Sequence, residues 1–226
     1  MNYEEKDKGY YSNVRLDLIG LINSKNKDLK ILEIGAAYGE TLFYLKENGI
    51  ASEVVGVDLF EDLDNKENYK KVDRFIFGNI EQIDLEEYLD YFDIILLPDV
   101  LEHLLEPKLV LNKLKKYLKK DGKIIVSMPN IRHYSALVKI FLKGDFKYEE
   151  SGIFDYTHIR FYCRKNIKEL FELCPREKIQ FYGRDLIIVV KPKLLYDILV
   201  FFKYHISFNF HYFNSLFLFS QLKYSI

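Results

Sequence analysis

The 226-residue sequence has few of the features that mark zinc-binding, redox or nucleic-acid-binding proteins. It has two cysteines, Cys163 and Cys174, which form no CxxC pair, so we expect reduced structural thiols. Its 33 basic and 34 acidic residues leave no overall charge that would recruit nucleic acid. It also lacks a signal-like start and an apolar run of the roughly 18 residues that span a bilayer. We therefore predict a cytoplasmic protein with a single domain, residues 1–226.

Short runs rich in Ile, Val and Phe recur along the first half of the chain and predict β-strands. They are mostly apolar rather than alternating, which is typical of strands covered on both faces in a parallel sheet. Helical patterns lie between them, at 41–48 and at a leucine repeat of Leu111, Leu114 and Leu118. The alternation predicts an α/β doubly wound sheet with ligands at the carboxyl ends of its strands. The predicted strands are 29–34, 53–58, 74–77, 92–97 and 123–128.

Two glycines, Gly35 and Gly39, follow the first predicted strand in the stretch ILEIGAAYGE. Without a Cβ at these positions, the backbone can turn sharply and approach a ligand. The spacing differs from GxGxxG, which brings a helix amino terminus onto an anionic pyrophosphate. The acid just before the turn, Glu33, would repel such an anion and suits a cationic ligand better. The pattern therefore disfavours a nicotinamide oxidoreductase.

Polar residues at the ends of the next two strands predict adenosine binding. Asp58 ends the second strand, where a carboxylate can accept hydrogen bonds from both ribose hydroxyls. Asn79 follows the third strand, and its amide can donate to and accept from an adenine edge. Ile80 would pack on the adenine ring.

Five motifs, taken in order, resemble those of class I S-adenosylmethionine-dependent methyltransferases: LEIGAAYG, VGVDLF, FGNIE, FDIILLPDVLEHL and GKIIVSMPN. The resemblance spans residues 10–130 and implies a Rossmann-like three-layer sandwich, with a mostly parallel seven-stranded sheet and an antiparallel last strand. It also implies S-adenosylmethionine as cofactor, bound by a core at 29–130. The family usually has Asp where Asn79 stands. The implied cofactor-binding residues are Glu33, Gly35, Ala36, Ala37, Tyr38, Gly39, Asp58, Leu59, Asn79, Ile80, Pro98 and Asp99.

The stretch 129–171 resembles a bacterial branch of these enzymes associated with cell-surface glycan synthesis, such as capsule or O-antigen. That resemblance implies O-methylation of a sugar, sugar phosphate or nucleotide sugar. N-methylation of an amino sugar and a non-catalytic partner of a glycosyltransferase are the alternatives. Tyr11 and Arg15, in an amino-terminal helical segment at 1–28, are similar to that branch. We expect a lid over the acceptor at 131–165 and a carboxyl-terminal helix and strands at 166–226.

Removing the proton of a sugar hydroxyl calls for a positioned base, and histidine is the natural candidate. His103 lies one helical turn beyond Asp99 if 100–104 is helical, and His158 is the second candidate. These three residues are the predicted catalytic group. Alternatively, Glu102 and His103 brace the helix after the fourth strand. Asp99 and His103 lack an evident third ligand, so we predict no metal.

The stretch FDYTHIRFY supplies further candidates for acceptor binding. As a helix it would pair Thr157 with Arg160, and as a strand it would place Asp155 and Thr157 on one face. Arg160 would clamp a phosphate or carboxylate of the acceptor, or form a salt bridge with Asp155. His133 and Tyr134 would line the acceptor site or belong to an amphipathic lid helix. The predicted acceptor-binding residues are Tyr11, Arg15, Asn130, His133, Tyr134, Asp155, Thr157, His158 and Arg160.

From Lys191 onward the sequence is dense in Phe, Tyr and Leu. Charged residues and histidines interrupt this tail, so it does not predict a membrane span. We expect a capping helix and a last strand at 216–224, with His205 and His211 in structural roles. Peripheral membrane contact and a homodimer surface are the alternatives for the tail.

Overall fold

The computed structural model describes residues 13–22, 27–171, 181–182, 186–190 and 200–201. The predictions for Tyr11, Cys174, His205, His211 and the strand at 216–224 lie outside these ranges. Within the described ranges, no helix has the length and apolar character needed to cross a membrane.

Five parallel strands form the centre of the sheet: β1 (Leu29–Ile34), β2 (Ala51–Asp58), β3 (Arg74–Phe77), β4 (Phe92–Pro98) and β5 (Leu118–Met128). Three short strands follow: β6 (Phe181–Tyr182), β7 (Leu186–Val190) and β8 (Val200–Phe201). The order across the sheet is β3-β2-β1-β4-β5-β7-β6-β8. β7 is antiparallel to β5 and to β6, whereas β8 is parallel to β6. The described sheet thus has eight strands rather than the predicted seven.

The strand order reverses direction between β1 and β4, because β2 and β3 extend from one side of β1 and β4 and β5 from the other. Loops that leave the carboxyl ends of β1 and β4 therefore run to opposite faces of the sheet. A crevice opens at such a point, and ligands of doubly wound sheets bind there. The glycine turn after β1 and Asp99 after β4 lie at this edge.

The helices lie between and after these strands. The α-helices are α1 (Leu16–Ile19), α2 (Glu40–Glu47), α3 (Pro107–Lys115), α4 (Tyr134–Leu137) and α5 (Arg164–Phe171). Single 3₁₀ turns or short 3₁₀ helices occupy Leu63–Lys71, Glu86–Tyr88 and Leu101–His103, and a π-helical turn occupies Val138–Leu142. The segment predicted as a lid therefore contains α4, the π-helical turn and an irregular loop, while its closing motion stays a prediction.

The leucine repeat is shorter than the sequence predicts. Leu111 and Leu114 are buried in α3, but that helix ends at Lys115 and Leu118 begins β5. Leu118 is paired with Phe92 of β4, so the hydrogen bonds of the sheet override the helical spacing. Periodicity alone cannot separate a leucine at the end of a helix from one at the start of a buried strand.

Two buried clusters cover the two faces of the sheet. Successive residues of β1 point to opposite faces, so Ile31 lies in one cluster and Leu32 in the other. Leu42 of α2 packs with Ile31, whereas Leu114 of α3 and Ile167 of α5 pack on the face of Leu32. Helices on both faces of a parallel sheet make three layers. The predicted α/β doubly wound fold is therefore confirmed.

Candidate functional site

The turn after β1 is built from backbone that runs through the left-handed region. Gly35 has φ 71°, Ala37 has φ 49° and Gly39 has φ 79°, after which α2 begins. The N–H groups of Gly35 and Ala36 donate to the carbonyl of Val57 at 2.8 and 3.1 Å, which fixes the turn on β2. The predicted sharp turn is therefore present, and it brings the end of β1 next to the end of β2.

The two glycines of the turn are needed for packing as well as for backbone conformation. A Cβ at Gly35 would lie 2.7 Å from Cγ2 of Val100, and one at Gly39 would lie 2.6 Å from Cγ2 of Val72. Both distances are well below van der Waals contact. From the sequence, we expected the glycines to let a ligand approach the backbone. In the structure they also allow close packing against the loop after β4 and against the residues at the start of β3.

Glu33 is a buried carboxylate at the carboxyl end of β1. Its side chain is only 2% exposed, and its Oε2 makes no hydrogen bond to any residue that the structure describes. Burial, opposed by Arg15 and assisted by nearby Asp58, raises the pKa of Glu33 to about 8. A buried carboxylate whose oxygens do not all accept hydrogen bonds is stabilised by a nearby positive charge. The site therefore favours a cationic group beside β1.

Arg15, from the segment before β1, joins the ends of β4 and β5. One terminal nitrogen donates to Asp99 at 2.8 Å and the other donates to Ser127 at 2.9 Å, while Nε donates to Asp17 at 3.0 Å. Burial lowers the pKa of Arg15, but Asp99 and Asp17 more than offset this and raise it overall. The structure thus brings the predicted residues Arg15 and Asp99 together in one ion pair.

Ser127 and Asp17 are site residues that the sequence reading missed. Ser127 is the next-to-last residue of β5, and its hydroxyl donates to Asp99 at 3.0 Å. Its signal was its place in the GKIIVSMPN motif, beside the end of β4. Asp17 gave no signal, because nothing in the sequence shows that it would share the guanidinium of Arg15.

Asp58 is held by backbone N–H groups of the glycine turn and of the loop after β2. Its Oδ2 accepts from the N–H of Ala37 at 2.7 Å and its Oδ1 accepts from the N–H of Phe60 at 3.2 Å. Burial raises the pKa of Asp58, whereas these two hydrogen bonds lower it. Each carboxylate oxygen has a second lone pair, so the group can also accept from a ligand diol. Leu59, 47% exposed, supplies apolar surface next to it.

We expect Asp58→Asn to lower the affinity for S-adenosylhomocysteine by about 10- to 100-fold, the value of a hydrogen bond to a charged group. The amide would also turn a donor toward the N–H of Ala37 or Phe60 and so disturb the turn. Isothermal titration calorimetry measures the affinity. Asp93→Asn, which removes a carboxylate at the opposite end of β4, should leave it unchanged. Equal affinity of both variants and the parent would refute the role of Asp58.

Three other residues predicted to hold the cofactor have local structural contacts. Oδ1 of Asn79 accepts from the N–H of Glu81 at 2.9 Å, which closes the turn after β3, and contact of its amide with an adenine edge stays a prediction. Ile80 is 5% exposed and belongs to the hydrophobic core, so contact with an adenine ring stays a prediction. The hydroxyl of Tyr38 donates to Asp62 at 2.8 Å and holds the loop after β2 against the turn.

The loop 153–162 is neither the helix nor the strand that the sequence left open. It lies against the 3₁₀ turn Leu101–His103, and the carbonyl of Glu102 accepts from the N–H groups of Ile159 and Arg160, both at 3.1 Å. Nε of Arg160 donates to the carbonyl of Leu104 at 2.9 Å. These contacts join two segments that are distant in the sequence, and neither helical nor strand periodicity can predict them.

The two predicted catalytic histidines, His103 and His158, come together across these loops; we call them the histidine pair. Their ring centroids are 4.8 Å apart with an interplanar angle of 66°. Nδ1 of His103 lies 3.1 Å from the carbonyl oxygen of Thr157, and Nδ1 of His158 lies 3.0 Å from that of Ile153. Because a carbonyl can only accept, each Nδ1 carries the proton and each Nε2 holds the lone pair of the neutral ring.

The polar residues of this loop also shape it. Asp155 and Thr157 are completely buried, and Oδ1 of Asp155 accepts from the N–H and the hydroxyl of Thr157 at 2.9 and 2.6 Å. Arg160 pairs with the carbonyls of Leu104 and Leu105 instead of Asp155, so the predicted alternative of a salt bridge to Asp155 is wrong. Contact of these residues with an acceptor stays a prediction.

Three predicted acceptor residues surround the start of α4. Oδ1 of Asn130 accepts from the N–H of Arg132 at 3.1 Å. His133 is buried, and its Nδ1 lies 2.7 Å from the hydroxyl of Ser135 at the amino end of α4; burial lowers the pKa of His133. Tyr134 is 43% exposed. Of the three, Tyr134 has the most surface for contact with a ligand.

A surface pocket of about 640 Å³ lies at the opposite edge of the sheet, beside the amino ends of β2 and β3. Its charged side chains pair with each other or with neighbours: Arg74 with Glu87 at 2.9 Å, and Asp73 with Lys46. Mutually paired surface charges are common and point to no ligand. The carboxyl edge, with Glu33, Asp58 and Asp99, is therefore the candidate functional site.

Comparison with solved structures shows this fold in other proteins. The PH0226 protein from Pyrococcus horikoshii is 22% identical over 83% of this chain and 93% of that chain, with a TM-score of 0.60. A SAM-dependent methyltransferase from Archaeoglobus fulgidus is 22% identical over 74% of this chain and 69% of that one, with a TM-score of 0.53. The chain spans about half, 52%, of an S-adenosylmethionine-dependent methyltransferase from Mesorhizobium loti. No curated protein matches the chain significantly.

A family model described as a methyltransferase domain matches residues 3–173. That range covers the five central strands, the glycine turn, Asp58 and the loop that carries the histidine pair. The resemblance to the class I methyltransferases is thus confirmed at the level of the family, while the glycan-associated branch stays a prediction. The chain belongs to the methyltransferase domain family.

Proposed function

We propose that the protein transfers the methyl group of S-adenosylmethionine to a hydroxyl of a small carbohydrate acceptor. The observation that carries this proposal is a pair of carboxylates beside the glycine turn at the carboxyl edge of the sheet: Glu33, which is buried, and Asp58, which is half-buried. One suits an ammonium and the other a ribose diol, and S-adenosylmethionine contains both groups. The similar structure from Archaeoglobus fulgidus is named for the same cofactor.

The residues present fit the parts of this cofactor. Glu33 would face the ammonium of the methionine portion, Asp58 the ribose hydroxyls and Asn79 the adenine edge. Pro98 and Asp99, at the end of β4, would lie beside the sulfonium. When bound, the cofactor supplies a methyl group activated by the positive charge on sulfur. Asp99, already held by Arg15 and Ser127, would keep the crevice shaped for it.

The histidine pair supports a hydroxyl as the methyl acceptor. A sugar hydroxyl holds its proton tightly near neutral pH, and a positioned group that removes it contributes roughly 10²- to 10⁴-fold in rate. The carbonyls of Thr157 and Ile153 fix the Nδ1–H tautomer of both neutral rings, so the basic lone pair of each ring is on Nε2. Orientation by the carbonyls reduces the entropy lost in reaching the reactive geometry.

The proposal of a carbohydrate acceptor is based on the stretch 129–171, which resembles the glycan-associated branch. The residues expected on the acceptor side include an exposed aromatic ring, Tyr134, and the guanidinium of Arg160. Aromatic faces pack against sugar rings, and a guanidinium pairs with a phosphate of a sugar phosphate or nucleotide sugar. We therefore propose a sugar, sugar phosphate or nucleotide sugar of surface glycan synthesis as the acceptor.

Two measurements test this function. Calorimetric titration with S-adenosylhomocysteine and, separately, with NAD should show binding of the first and not of the second. Incubation with S-adenosylmethionine and a panel of nucleotide sugars and sugar phosphates should then release S-adenosylhomocysteine for one acceptor class. Binding of NAD alone would refute the cofactor. If only amino sugars are methylated, and their N-acetylated forms are not, the methyl acceptor is the amino group and the reaction is N-methylation rather than O-methylation.

A further inference from the structure

Glu102, His103 and His158 form a compact group of potential metal ligands, which we call the ligand cluster. One ligand atom from each residue lies within 4.8 Å of the others. Glu102 is 1% exposed and His158 is 5% exposed, so two of the three are buried. In the sequence, Asp99 and His103 were possible metal ligands without an evident third one. In the structure the other two ligands beside His103 are its neighbour Glu102 and His158, which lies 55 positions further along the sequence.

The rings of the ligand cluster are oriented as metal-binding histidines are. A ligating histidine usually donates its second ring N–H to a carbonyl or carboxylate, which fixes the tautomer and the ring plane. Nδ1 of His103 donates to Thr157 O at 3.1 Å and Nδ1 of His158 donates to Ile153 O at 3.0 Å. Nε2 of His158 lies 3.9 Å from Oε1 of Glu102. The Nε2 lone pair of His158 is thus set beside the carboxylate, and one ring nitrogen of His103 lies within 4.8 Å of both groups.

The backbone around the ligand cluster holds it in place. The carbonyl of Glu102 accepts from Ile159 and Arg160, and the side chain of Arg160 is bound to the carbonyl of Leu104. On the other side, Asp155 closes the turn that carries His158 through its bond to Thr157. The two loops that supply the ligands are therefore joined directly, as a metal site requires when its ligands are distant in sequence.

We infer that the ligand cluster binds one divalent transition-metal ion. Two imidazole nitrogens and one carboxylate are a donor set that suits zinc and similar ions, and in catalytic sites it leaves a coordination position open. Calcium and magnesium prefer sites made of oxygen ligands, so this cluster disfavours them.

The consequence of this ion for methyl transfer rests on the proposed function. At the open position the ion would take the hydroxyl oxygen of the acceptor and lower its pKa. The O–H bond would break with its proton passing to water, and the oxygen would use the electron pair it keeps to form a bond to the methyl carbon. The bond from that carbon to sulfur would break at the same time, its electron pair passing to sulfur, and S-adenosylhomocysteine would leave. With the ion bound, the histidine pair would act on the hydroxyl through the metal, as ligands, and this route would replace the direct removal of the proton by Nε2.

Direct metal binding tests the inference. The full-length chain, without an affinity tag and stripped with a chelator, is titrated with Zn²⁺ by calorimetry, and with Co²⁺ by its visible absorption spectrum. We expect one ion per chain and a Co²⁺ spectrum with nitrogen ligation. His158→Ala and Glu102→Gln should each weaken binding by at least about 10- to 100-fold. Thermal unfolding in chelator verifies that each variant is folded.

Two control variants should bind the ion as the parent does. His205→Ala with His211→Ala removes the histidines of the carboxyl-terminal tail, and Glu106→Gln removes an exposed acid from the loop of Glu102. If Glu102→Gln does not fold, His103→Ala replaces it. Absence of Zn²⁺ binding, or equal binding by the cluster variants, would overturn the inference.

A parallel titration with S-adenosylhomocysteine separates this inference from the proposed function. Cofactor binding without metal binding would remove the metal site and leave the methyltransferase proposal in place. Metal binding without cofactor binding would support the ligand cluster and refute the proposed function. In the active protein, removal of the ion should lower turnover, and added Zn²⁺ or Co²⁺ should restore it in the parent but not in His158→Ala.

Discussion

Glu33→Gln is expected to weaken binding of S-adenosylhomocysteine by about 10- to 100-fold at pH 8, the value of a hydrogen bond to a charged group. The ligand keeps the ammonium of the methionine portion, which would pair with the Glu33 carboxylate. Gln has nearly the same volume and can still accept a hydrogen bond, so the loss isolates the charge. Calorimetry on the parent and the variant measures it.

The same substitution should stabilise the protein without cofactor. Burial raises the pKa of Glu33 from its ordinary value of 4.5 to about 8, so the folded chain holds a proton there that the unfolded chain releases. Between pH 4.5 and 8 the folded state binds more protons, and the free energy of unfolding therefore falls as pH rises through this window. Gln does not titrate. We expect the melting temperature of the variant to exceed that of the parent, and the difference to grow from pH 5 to pH 8.

A matched control for Glu33 is Glu53→Gln. Glu53 is a partly exposed acid of β2 that accepts from the hydroxyl of Tyr91 at 2.7 Å, away from the crevice. This change should leave cofactor affinity unaltered. If Glu33→Gln binds S-adenosylhomocysteine as tightly as the parent, the assignment of the ammonium to Glu33 fails.

The second large effect is expected at the histidine pair, where His103→Asn should lower turnover at least about tenfold and up to 10⁴-fold, the range of proton-transfer catalysis. The amide of Asn can replace the Nδ1–H donor to Thr157, so the loop contact survives while the Nε2 lone pair is lost. Steady-state kinetics should show a lower kcat with little change in cofactor affinity. His158→Ala should act in the same direction.

The variant His103→Gln separates a catalytic role of the Nε2 lone pair from a structural role of the Nδ1–H bond to Thr157. His103→Gln places its amide near Nε2 and loses the donor to Thr157, so it should be less stable than His103→Asn. If His103 only braces the loop, Asn will retain activity and Gln will lose it. Full activity of His103→Asn together with His158→Ala would remove the histidine pair from the catalytic group.

Much of the central sheet follows from local pattern. The bounds of β1 and β3 agree with the predicted 29–34 and 74–77, because a short apolar run between polar turns has few other ways to be buried. Prediction was less accurate at β5, where Leu118 sits at the boundary between a helix and a strand and both place a leucine in the core. Where a strand begins depends on which strand its backbone pairs with, and that partner is distant in the sequence.

The two parts of the site differ in how far they could be predicted. Asp58 and the turn at Gly35 are recognisable because each follows a strand, and parallel strands bring their carboxyl ends to one edge. Ser127 and Glu102 were not recognised as partners of Arg15 and His158, since each pair joins segments far apart in the chain. Spacing within one segment carries no information about such contacts.

By itself, the sequence determined the class of this protein: an alternation of buried strands and helices with an acid, a glycine turn and a second acid in the order that suits an adenosine-containing cation. Only the tertiary structure decided which side chains share a charge or a proton. Arg15 pairs with Asp99, and His103 lies beside His158. The reason is physical, because periodicity reports burial of one segment, whereas hydrogen bonds and ion pairs depend on distances between segments.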